Sequence, residues 1–596
     1  MRKILTVSAL ALGPLLFMGA RSPKLSADEQ VIHALNRLTF GPRPGDVEAL
    51  RKMGVKKWID LQLHPERIVE NPELAQRLAP LESLRLSQAD TERTYPNPQM
   101  IRAIATGQQP MPEDPVTRAA VERVIQRFKA KKNIGEDNPI EPAVALDQLL
   151  TREQIRTLRT GTVEAKRAVI AAIPEGQMDD VAIALPPGLR LQLLPAVEPV
   201  LRRKLMLLTA PQQLVAFDLS EGKLYRAILS NRQLEEQMVD FWYNHFNVFL
   251  DKGADRYLVP TYEREAIRPH VLGKFRDLLE ATAKSPAMLF YLDNWESVGP
   301  VPPQRRGSAK RPVRGLNENY ARELMELHTL GVDGGYTQKD VTEVARCFTG
   351  WTIRAPRQGG DFFYNDRVHD KGEKTVLGVK IPAGGGQQDA ERVLDILSRH
   401  PATARFISKR LAQRFVADDP PQKLIDKMAK TFRDKNGDIR EVIKTMLTSE
   451  EFFSHAAYRA KVKTPFEMIV SAVRATGAQV DFAFPLARKI ADLGEPLYRK
   501  LEPTGYSDAN SEWVNSATLL ARMNFALSLA QNKVPGSKLD VSQFTGDPAE
   551  VARAVLFTDA RPETLAAIES RAKEAQGPAN APVLGLLLGS PDFQRR

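Results

Sequence analysis

Segments with the alternating pattern of a β-strand are rare in this chain of 596 residues, and they cluster in one place. Asp361–Tyr364, Thr375–Leu377 and Val379–Ile381 are predicted as strands, with a glycine-rich loop after the last of them. Elsewhere apolar residues recur at helical spacing, for example over Ala27–Leu38. The sequence therefore predicts a mainly α fold, a multi-helix globular array with a small β-hairpin sheet near residues 361–381.

The length of the chain exceeds what one hydrophobic core usually organises, so we expect several packed parts. Residues 96–211 join short amphipathic helices, such as Val116–Lys129 and Arg152–Ala172, by polar and proline-containing segments. This stretch lacks the aromatic density of the residues that follow, which indicates a separate insertion. The predicted parts are a signal peptide at 1–20, an N-terminal helical part at 27–95, a helical insertion at 96–211, a central helical core with the candidate site at 212–475 and a C-terminal helical part at 476–596.

The N-terminus has the pattern of a secretory signal. Arg2 and Lys3 precede the apolar run Ile4–Ala20, after which the chain becomes polar. We therefore expect an exported protein, periplasmic or extracellular, with no transmembrane helix in the mature chain. An uncleaved anchor and a buried first helix are the alternatives.

The charge of the chain limits its possible binding partners, and its cysteine content limits the disulfides that it can form. The formal net charge is +11, from 84 Lys and Arg against 73 Asp and Glu, with both signs interspersed. An anionic envelope polymer is a partner that suits this charge, and an ordinary solvated basic surface is the alternative. No basic helix with interleaved aromatic residues is present, so no nucleic-acid partner is expected. The single cysteine, Cys347, forms no intramolecular disulfide and is predicted to be a small buried hydrophobic residue.

A first polar cluster lies in residues 238–249. Wound as a helix, this segment places Met238, Trp242, His245 and Phe249 on one face. His245 then lies in the middle of an apolar surface. A buried imidazole needs partners for both ring nitrogens, and a carboxylate, a backbone carbonyl or a metal ion would each serve. The sequence is compatible with two roles for His245: a core histidine whose ring nitrogens bond to the fold, or a ligand or acid–base group.

A second cluster lies in residues 317–328. On a helix, Asn319, Arg322, Glu323 and Glu326 share one stripe, flanked by apolar residues that indicate a largely buried helix. Two carboxylates on adjacent turns can hold a divalent cation or divide the roles of acid and base. Arg322 can instead neutralise Glu318 or Glu326 at i±4, so a charge-paired face is the alternative.

A third cluster is the loop 365–371, which holds the pair His369 and Asp370. Such a pair can join a metal site or accept a proton, and a solvated turn is the alternative. Familiar catalytic signatures are absent from the sequence: it has no His-Glu-x-x-His, no Gly-x-Ser-x-Gly, no phosphate-binding Gly-rich motif and no cysteine pair for zinc.

Several segments together resemble the bacterial family called domain of unknown function 1800. The matching segments are His33–Asp46 (HALNRLTFGPRPGD), Phe241–Phe249 (FWYNHFNVF), Lys284–Asn294 (KSPAMLFYLDN), Asn317–Gly331 (NENYARELMELHTLG), Tyr336–Trp351 (YTQKDVTEVARCFTGW), His369-Asp370 and Pro503–Tyr506 (PTGY). The resemblance implies an exported protein without an established activity. It also implies that the family's recurrent polar positions form one site, here His245, Asn317, Glu318, Asn319, Arg322, Glu323, Glu326, His369 and Asp370.

Two functional hypotheses follow. In the first, the chain is an envelope enzyme that hydrolyses or modifies an envelope polymer or a secreted substrate. Its catalytic residues are then His245, Arg322, Glu323, Glu326 and Asp370, its substrate-binding residues Asn317, Asn319 and Arg322, and its divalent-metal ligands His245, Glu323, Glu326 and His369. In the second, the chain is a non-catalytic envelope binding or scaffold protein, and the same residues form a buried polar network that fixes the fold.

Overall fold

The structure is a computed structural model that describes residues 24–95, 98–131, 144–300, 315–355, 360–572 and 580–596. The predicted signal peptide at 1–20 lies outside these residues. Thirty-two α-helices and three two-stranded sheets make up the regular structure of the described ranges, which confirms the mainly α fold. None of the described helices combines the length and the apolarity that crossing a membrane requires.

The N-terminal helices are short and capped by local signals. Ser26 accepts a hydrogen bond from the N–H of Glu29, whose carboxylate accepts one from the N–H of Ser26, so the first helix begins at Ala27 as predicted. Gly45, at φ +88°, precedes the second. The five helices are α1 (Ala27–Leu38), α2 (Asp46–Met53), α3 (Val55–Gln62), α4 (Pro72–Leu78) and α5 (Gln88–Thr94).

The segment predicted as an insertion contains eight α-helices joined by turns, and no strand, among its described residues. The helix predicted over Arg152–Ala172 is in fact two helices, because Thr162 accepts a hydrogen bond from the N–H of Ala165 and starts a new one after Gly161. The helices here are α6 (Pro98–Ala105), α7 (Pro115–Lys131), α8 (Leu146–Leu149), α9 (Arg152–Thr160), α10 (Val163–Ala171), α11 (Met178–Ala184), α12 (Pro187–Leu193) and α13 (Pro199–Thr209).

The central segment contains the longest buried helices. They are α14 (Leu214–Leu229), α15 (Gln233–His245), α16 (Asp255–Thr261), α17 (Phe275–Lys284), α18 (Pro286–Tyr291), α19 (Glu318–Glu326), α20 (Gln338–Phe348), α21 (Gln388–Arg399), α22 (Pro401–Phe415), α23 (Gln422–Asp434), α24 (Ile439–Leu447) and α25 (Pro465–Thr476). Cys347 is buried in α20, as predicted.

The C-terminal helices return to the same core. They are α26 (Phe484–Asp492), α27 (Asn510–Trp513), α28 (Ser516–Ala530), α29 (Pro548–Leu556), α30 (Pro562–Ala572), α31 (Ala581–Leu588) and α32 (Pro591–Gln594). One continuous hydrophobic cluster runs from Leu38 to Phe593, and a second, mostly from residues 150–217, lies under the insertion helices. The boundaries of the four parts stay a prediction.

The strands form three small sheets, where the sequence predicted one. β3 (Lys374–Val376) and β4 (Val379–Ile381) make the predicted hairpin, joined by Leu377 and Gly378, both at positive φ. β2 (Phe362–Tyr364) does not join them and pairs with β1 (Trp351–Ile353). β5 (Gln479–Val480) pairs with β6 (Ser537–Lys538) across the C-terminal segment. The partner of β2 was missed because β1 directly follows α20 and is only three residues long.

Candidate functional site

Helix α19 carries most of the predicted site residues, and Asn317 fixes where it begins. The Asn317 Oδ1 accepts hydrogen bonds from the N–H groups of Asn319 and Tyr320, and its Nδ2 donates to the carbonyl of Leu292. Asn317, predicted to bind substrate, is therefore the N-cap of the helix. Tyr320, Ala321, Leu324 and Met325 bury the opposite face.

The polar stripe of α19 lies on the less buried side of the helix. Asn319 is exposed, and Arg322, Glu323 and Glu326 are half-buried. Arg322 donates to Gln338 Oε1 at 2.7 Å and lies 4.0 Å from the Glu318 carboxylate.

The carboxylates along this stripe differ in their partners. Glu318 accepts hydrogen bonds from Gln338 and Thr342, and Glu326 accepts one from the Tyr336 hydroxyl at 3.2 Å. The Glu323 carboxyl makes no hydrogen bond or ion pair within the described residues. It is the one acidic group of the stripe that the fold leaves available.

The environment of Glu323 favours its protonated form. Burial raises the pKa of this carboxyl, the neighbouring Glu326 raises it further, and Arg322 opposes both. Burial raises the pKa of the Tyr291 phenol, and the negative charge of the nearby Glu323 carboxyl raises it further. Two carboxyls one turn apart, one of them biased towards the neutral form, can divide the roles of acid and base.

His245 is the last residue of α15 and lies in the core. Its Nε2 is 3.1 Å from the carbonyl oxygen of His328, and the rings of Phe246 and Phe406 pack around it. Burial lowers the pKa of His245 far below its usual value, and Arg410 and His328 lower it further. The imidazole is therefore neutral at physiological pH.

The helical face predicted around His245 is partly wrong. Helix α15 ends at His245, so Phe249 is not on its apolar face. The chain leaves the helix because Asn247 donates to the carbonyls of Lys500 and Glu502, which holds the following residues against another segment.

The loop with His369 and Asp370 is buried, so the alternative of a solvated turn is wrong for these two residues. His369 Nδ1 lies 2.7 Å from the carbonyl oxygen of Thr349, and its Nε2 lies 3.1 Å from Asp389 Oδ2. Asp389 also accepts a hydrogen bond from the buried Lys374 at 2.6 Å. Both nitrogens of the His369 ring are therefore engaged by the fold.

Asp370 points away from His369, as neighbouring residues on an extended segment do. Arg346 donates to both of its oxygens, at 2.8 and 3.2 Å, and the N–H of Gly372 donates to one of them. Burial would raise the pKa of Asp370, but Arg346 and Gly372 lower it below its usual value. Sequence reasoning missed Arg346, although it lies within the segment Tyr336–Trp351 that carries the resemblance.

The structure does not assemble the predicted metal site. Across the described ranges, no three His, Cys, Asp or Glu side chains are grouped so that they could hold a metal ion. His245, Glu323, Glu326 and His369 therefore do not form one ligand set there. The donor set does not fit a resident divalent cation, and no chemical step is assigned to one.

A second polar centre lies on the other face of α15, and sequence reasoning missed most of it. Arg414 of α22 contacts three carboxylates, Asp240 at 2.9 Å, Glu467 at 3.0 Å and Asp508 at 3.5 Å. Lys223 pairs with the other oxygen of Asp240 at 2.6 Å. Four of these residues, Lys223, Asp240, Arg414 and Asp508, line a cavity of about 30 Å³, which is enough for a water molecule and not for a substrate.

The segment Pro503–Tyr506 docks against this centre. Asn244 accepts a hydrogen bond from the N–H of Tyr506 at 2.6 Å and donates to its carbonyl at 2.8 Å. Gly505 has φ +70°, and a Cβ there would lie 2.2 Å from the Asn244 carbonyl oxygen. Only glycine fits, so this motif has a structural role in joining distant segments.

Comparison with known proteins assigns the chain to a family. The family model described as "Protein of unknown function (DUF1800)" matches residues 33–595, nearly the whole chain. The chain belongs to that family. No curated protein and no solved structure shows significant similarity to it.

Proposed function

We propose that the chain is an exported enzyme that uses carboxylate chemistry at Glu323 to hydrolyse or modify an envelope polymer or a secreted substrate. The observation that carries the proposal is the state of the Glu323 side chain. It is half-buried, it lacks a hydrogen-bond partner among the described residues, and its pKa is raised. Perturbed carboxyls without a structural task are candidates for acid–base chemistry.

The neighbours of Glu323 suggest a division of labour. Glu323, whose pKa is raised, acts as the general acid, and Glu326, which accepts a hydrogen bond from Tyr336, is the second carboxyl group of the pair. Arg322, on the same stripe, orients an anionic group of the substrate. Export is supported by the apolar N-terminal run, and an anionic polymer by the net charge of +11.

A second candidate function has its own support. His245, His369, Asp370 and Asn317 all contact groups of the fold, as a non-catalytic envelope binding or scaffold protein with a buried polar network requires. In that case α19 contributes only a polar surface.

Product release from envelope material tests the enzyme proposal. The purified protein is incubated with isolated cell-wall and capsular polymers, and soluble products are followed by mass spectrometry. Glu323→Gln is expected to lower the rate by about 10²–10⁴-fold, the usual contribution of a positioned acid or base. Glu318→Gln is the matched control, because Glu318 lies on the same helix and its oxygens already accept two hydrogen bonds.

The scaffold function is favoured if the wild-type protein releases nothing, or if Glu323→Gln is as active as Glu318→Gln. Export is tested separately by cell fractionation and N-terminal sequencing of the mature protein. A cytoplasmic chain that still begins at Met1 would contradict it.

A further inference from the structure

A cleft of about 550 Å³ lies far along the sequence from α19, where the insertion meets the core. Its walls come from α4, from the start of α13, from α14 and from the residue after β5. The residues that the argument uses are Glu73, Arg77, Arg202, Glu221, Tyr225 and Asp481. This volume lies within the range of small-molecule sites in proteins.

Glu221 is the feature of the cleft that points to a ligand. It is 2 % exposed, and its Oε1 accepts hydrogen bonds from the N–H groups of Ala483 and Phe484. Its other carboxyl oxygen has no hydrogen-bond partner in the described part of the chain. The side chain as a whole is buried, but this oxygen is reached from the cleft that the side chain lines, so a group bound in the cleft can supply its hydrogen bond.

The cleft also holds its donors rigidly. Arg202, 4 % exposed, donates to the carbonyls of Leu194, Val197 and Asp481 and stacks over the ring of Phe482. Arg77 donates to Glu73 through Nε at 3.2 Å and Nη2 at 3.1 Å, and Nη2 also lies 3.1 Å from Asp481, which leaves Nη1 to donate into the cleft. The cleft therefore offers fixed donors and a fixed acceptor side by side.

The charges of the cleft nearly cancel. Two arginines, Arg77 and Arg202, face Glu73, Asp481 and Glu221. Burial and Asp218 raise the pKa of Glu221 to about 7, while Arg202 and the two backbone N–H groups oppose them. A lining with little net charge and both kinds of hydrogen-bonding group disfavours a strongly anionic or cationic ligand and suits hydroxyl groups, which donate and accept.

We propose that this cleft binds a small neutral polyhydroxylated molecule, a mono- or disaccharide, whose hydroxyl groups pair with Glu221 and Arg77. The site is distinct from Glu323 and does not depend on the enzymatic proposal. The proposal also assigns a role to the predicted insertion, because its residues Pro199 and Arg202 form one wall of the cleft.

Binding of simple sugars tests the proposal. Calorimetry or saturation-transfer NMR is performed on the full chain with glucose, N-acetylglucosamine, maltose and cellobiose. At least one is expected to bind saturably. Gln76→Trp, which places a large ring at the exposed mouth, and Arg77→Met are each expected to weaken binding at least about tenfold. The monosaccharides and disaccharides together distinguish a free sugar from the end of a longer chain.

Glu221→Gln provides a sharper readout. In this variant the amide oxygen of the glutamine must face the N–H groups of Ala483 and Phe484. The amide NH₂ group therefore faces the cleft, where a donor replaces the acceptor oxygen of Glu221. The wild type is expected to bind about tenfold more tightly than this variant above pH 7, where Glu221 is ionised. This difference in affinity is expected to vanish near pH 6, where the protonated Glu221 carboxyl of the wild type donates a hydrogen bond as the glutamine NH₂ group does. The other charged and titratable groups around Glu221 are Glu73, Arg77, Arg202, Asp218, Tyr225 and Asp481.

Three results would overturn the proposal: no binding of any of the four sugars, binding unchanged in Gln76→Trp, or tighter binding of inorganic phosphate or spermidine than of sugar. Glu512→Gln, an exposed substitution outside the cleft, controls for general effects. Glu323→Gln is expected to bind the sugars like the wild type. A failure of the sugar-binding proposal can therefore be distinguished from a failure of the enzymatic proposal.

Discussion

Arg414→Met is expected to destabilise the protein by about 3–5 kcal/mol, because it removes the cation that three carboxylates share. Arg414 is 5 % exposed. Burial lowers its pKa, but Glu467, Asp240 and Asp508 more than offset this and raise it above its usual value. Without the guanidinium, each of the three carboxylates is left with one neighbouring cation: Lys223 beside Asp240, Arg596 beside Glu467 and Arg410 beside Asp508. Urea denaturation at neutral pH measures the change.

Arg405→Met is the matched control for this substitution. Arg405 lies on the same helix, α22, and pairs with Asp426, but the two side chains are 58 % and 52 % exposed. An exposed pair of this kind contributes about 0–1 kcal/mol. Equal losses for the two variants would show that the buried centre does not hold the segments together.

Glu495→Gln is expected to stabilise the protein in alkaline solution. Glu495 lines the same small cavity, and burial and Asp240 raise its pKa from 4.5 to about 8, although the N–H of Phe466 opposes them. The folded protein therefore holds a proton that the unfolded chain releases above about pH 4.5. Stability should fall as pH rises between these two values, by an amount on the order of 5 kcal/mol.

Glutamine removes this titration and keeps the acceptor for the Phe466 N–H. The variant and the wild type should be equally stable near pH 4.5, and the variant should be the more stable by several kcal/mol above about pH 8. Urea denaturation across this pH window is the measurement, with the exposed Glu512→Gln as the control. Parallel pH profiles for Glu495→Gln and the wild type would mean that Glu495 is already ionised in the folded state.

The sequence predicts local structure well where the signals are local. The helix predicted over Ala27–Leu38 and the hairpin predicted near residues 375–381 both depend on signals within a few residues, although Leu377, predicted to end a strand, lies in the turn. The polar stripe of α19 follows from helical geometry alone, and in the structure its members share the less buried side of the helix.

Contacts between distant segments could not be predicted in this way. Arg346 and Asp370 are 24 residues apart, and Arg414 is 174 residues from Asp240. Each charge alone is compatible with many partners, and only the packed fold selects one. For the same reason the sequence grouped His245, Glu323, Glu326 and His369 into one site. In the fold His245 contacts His328, Glu326 contacts Tyr336 and His369 contacts Asp389, whereas Glu323 has no partner among the described residues.

The central claim is that the fold engages the other carboxylates of the recognised motifs and leaves the Glu323 carboxyl without a partner and with a raised pKa. Carbodiimide coupling of an amine, which requires a protonated and accessible carboxyl, tests this directly when labelled sites are quantified by peptide mass spectrometry near pH 6. We expect Glu323 to be labelled at least about tenfold faster than Glu318 and Asp370, because its pKa is raised and its oxygens are free. Labelling of Glu323 no faster than these two residues would contradict the account.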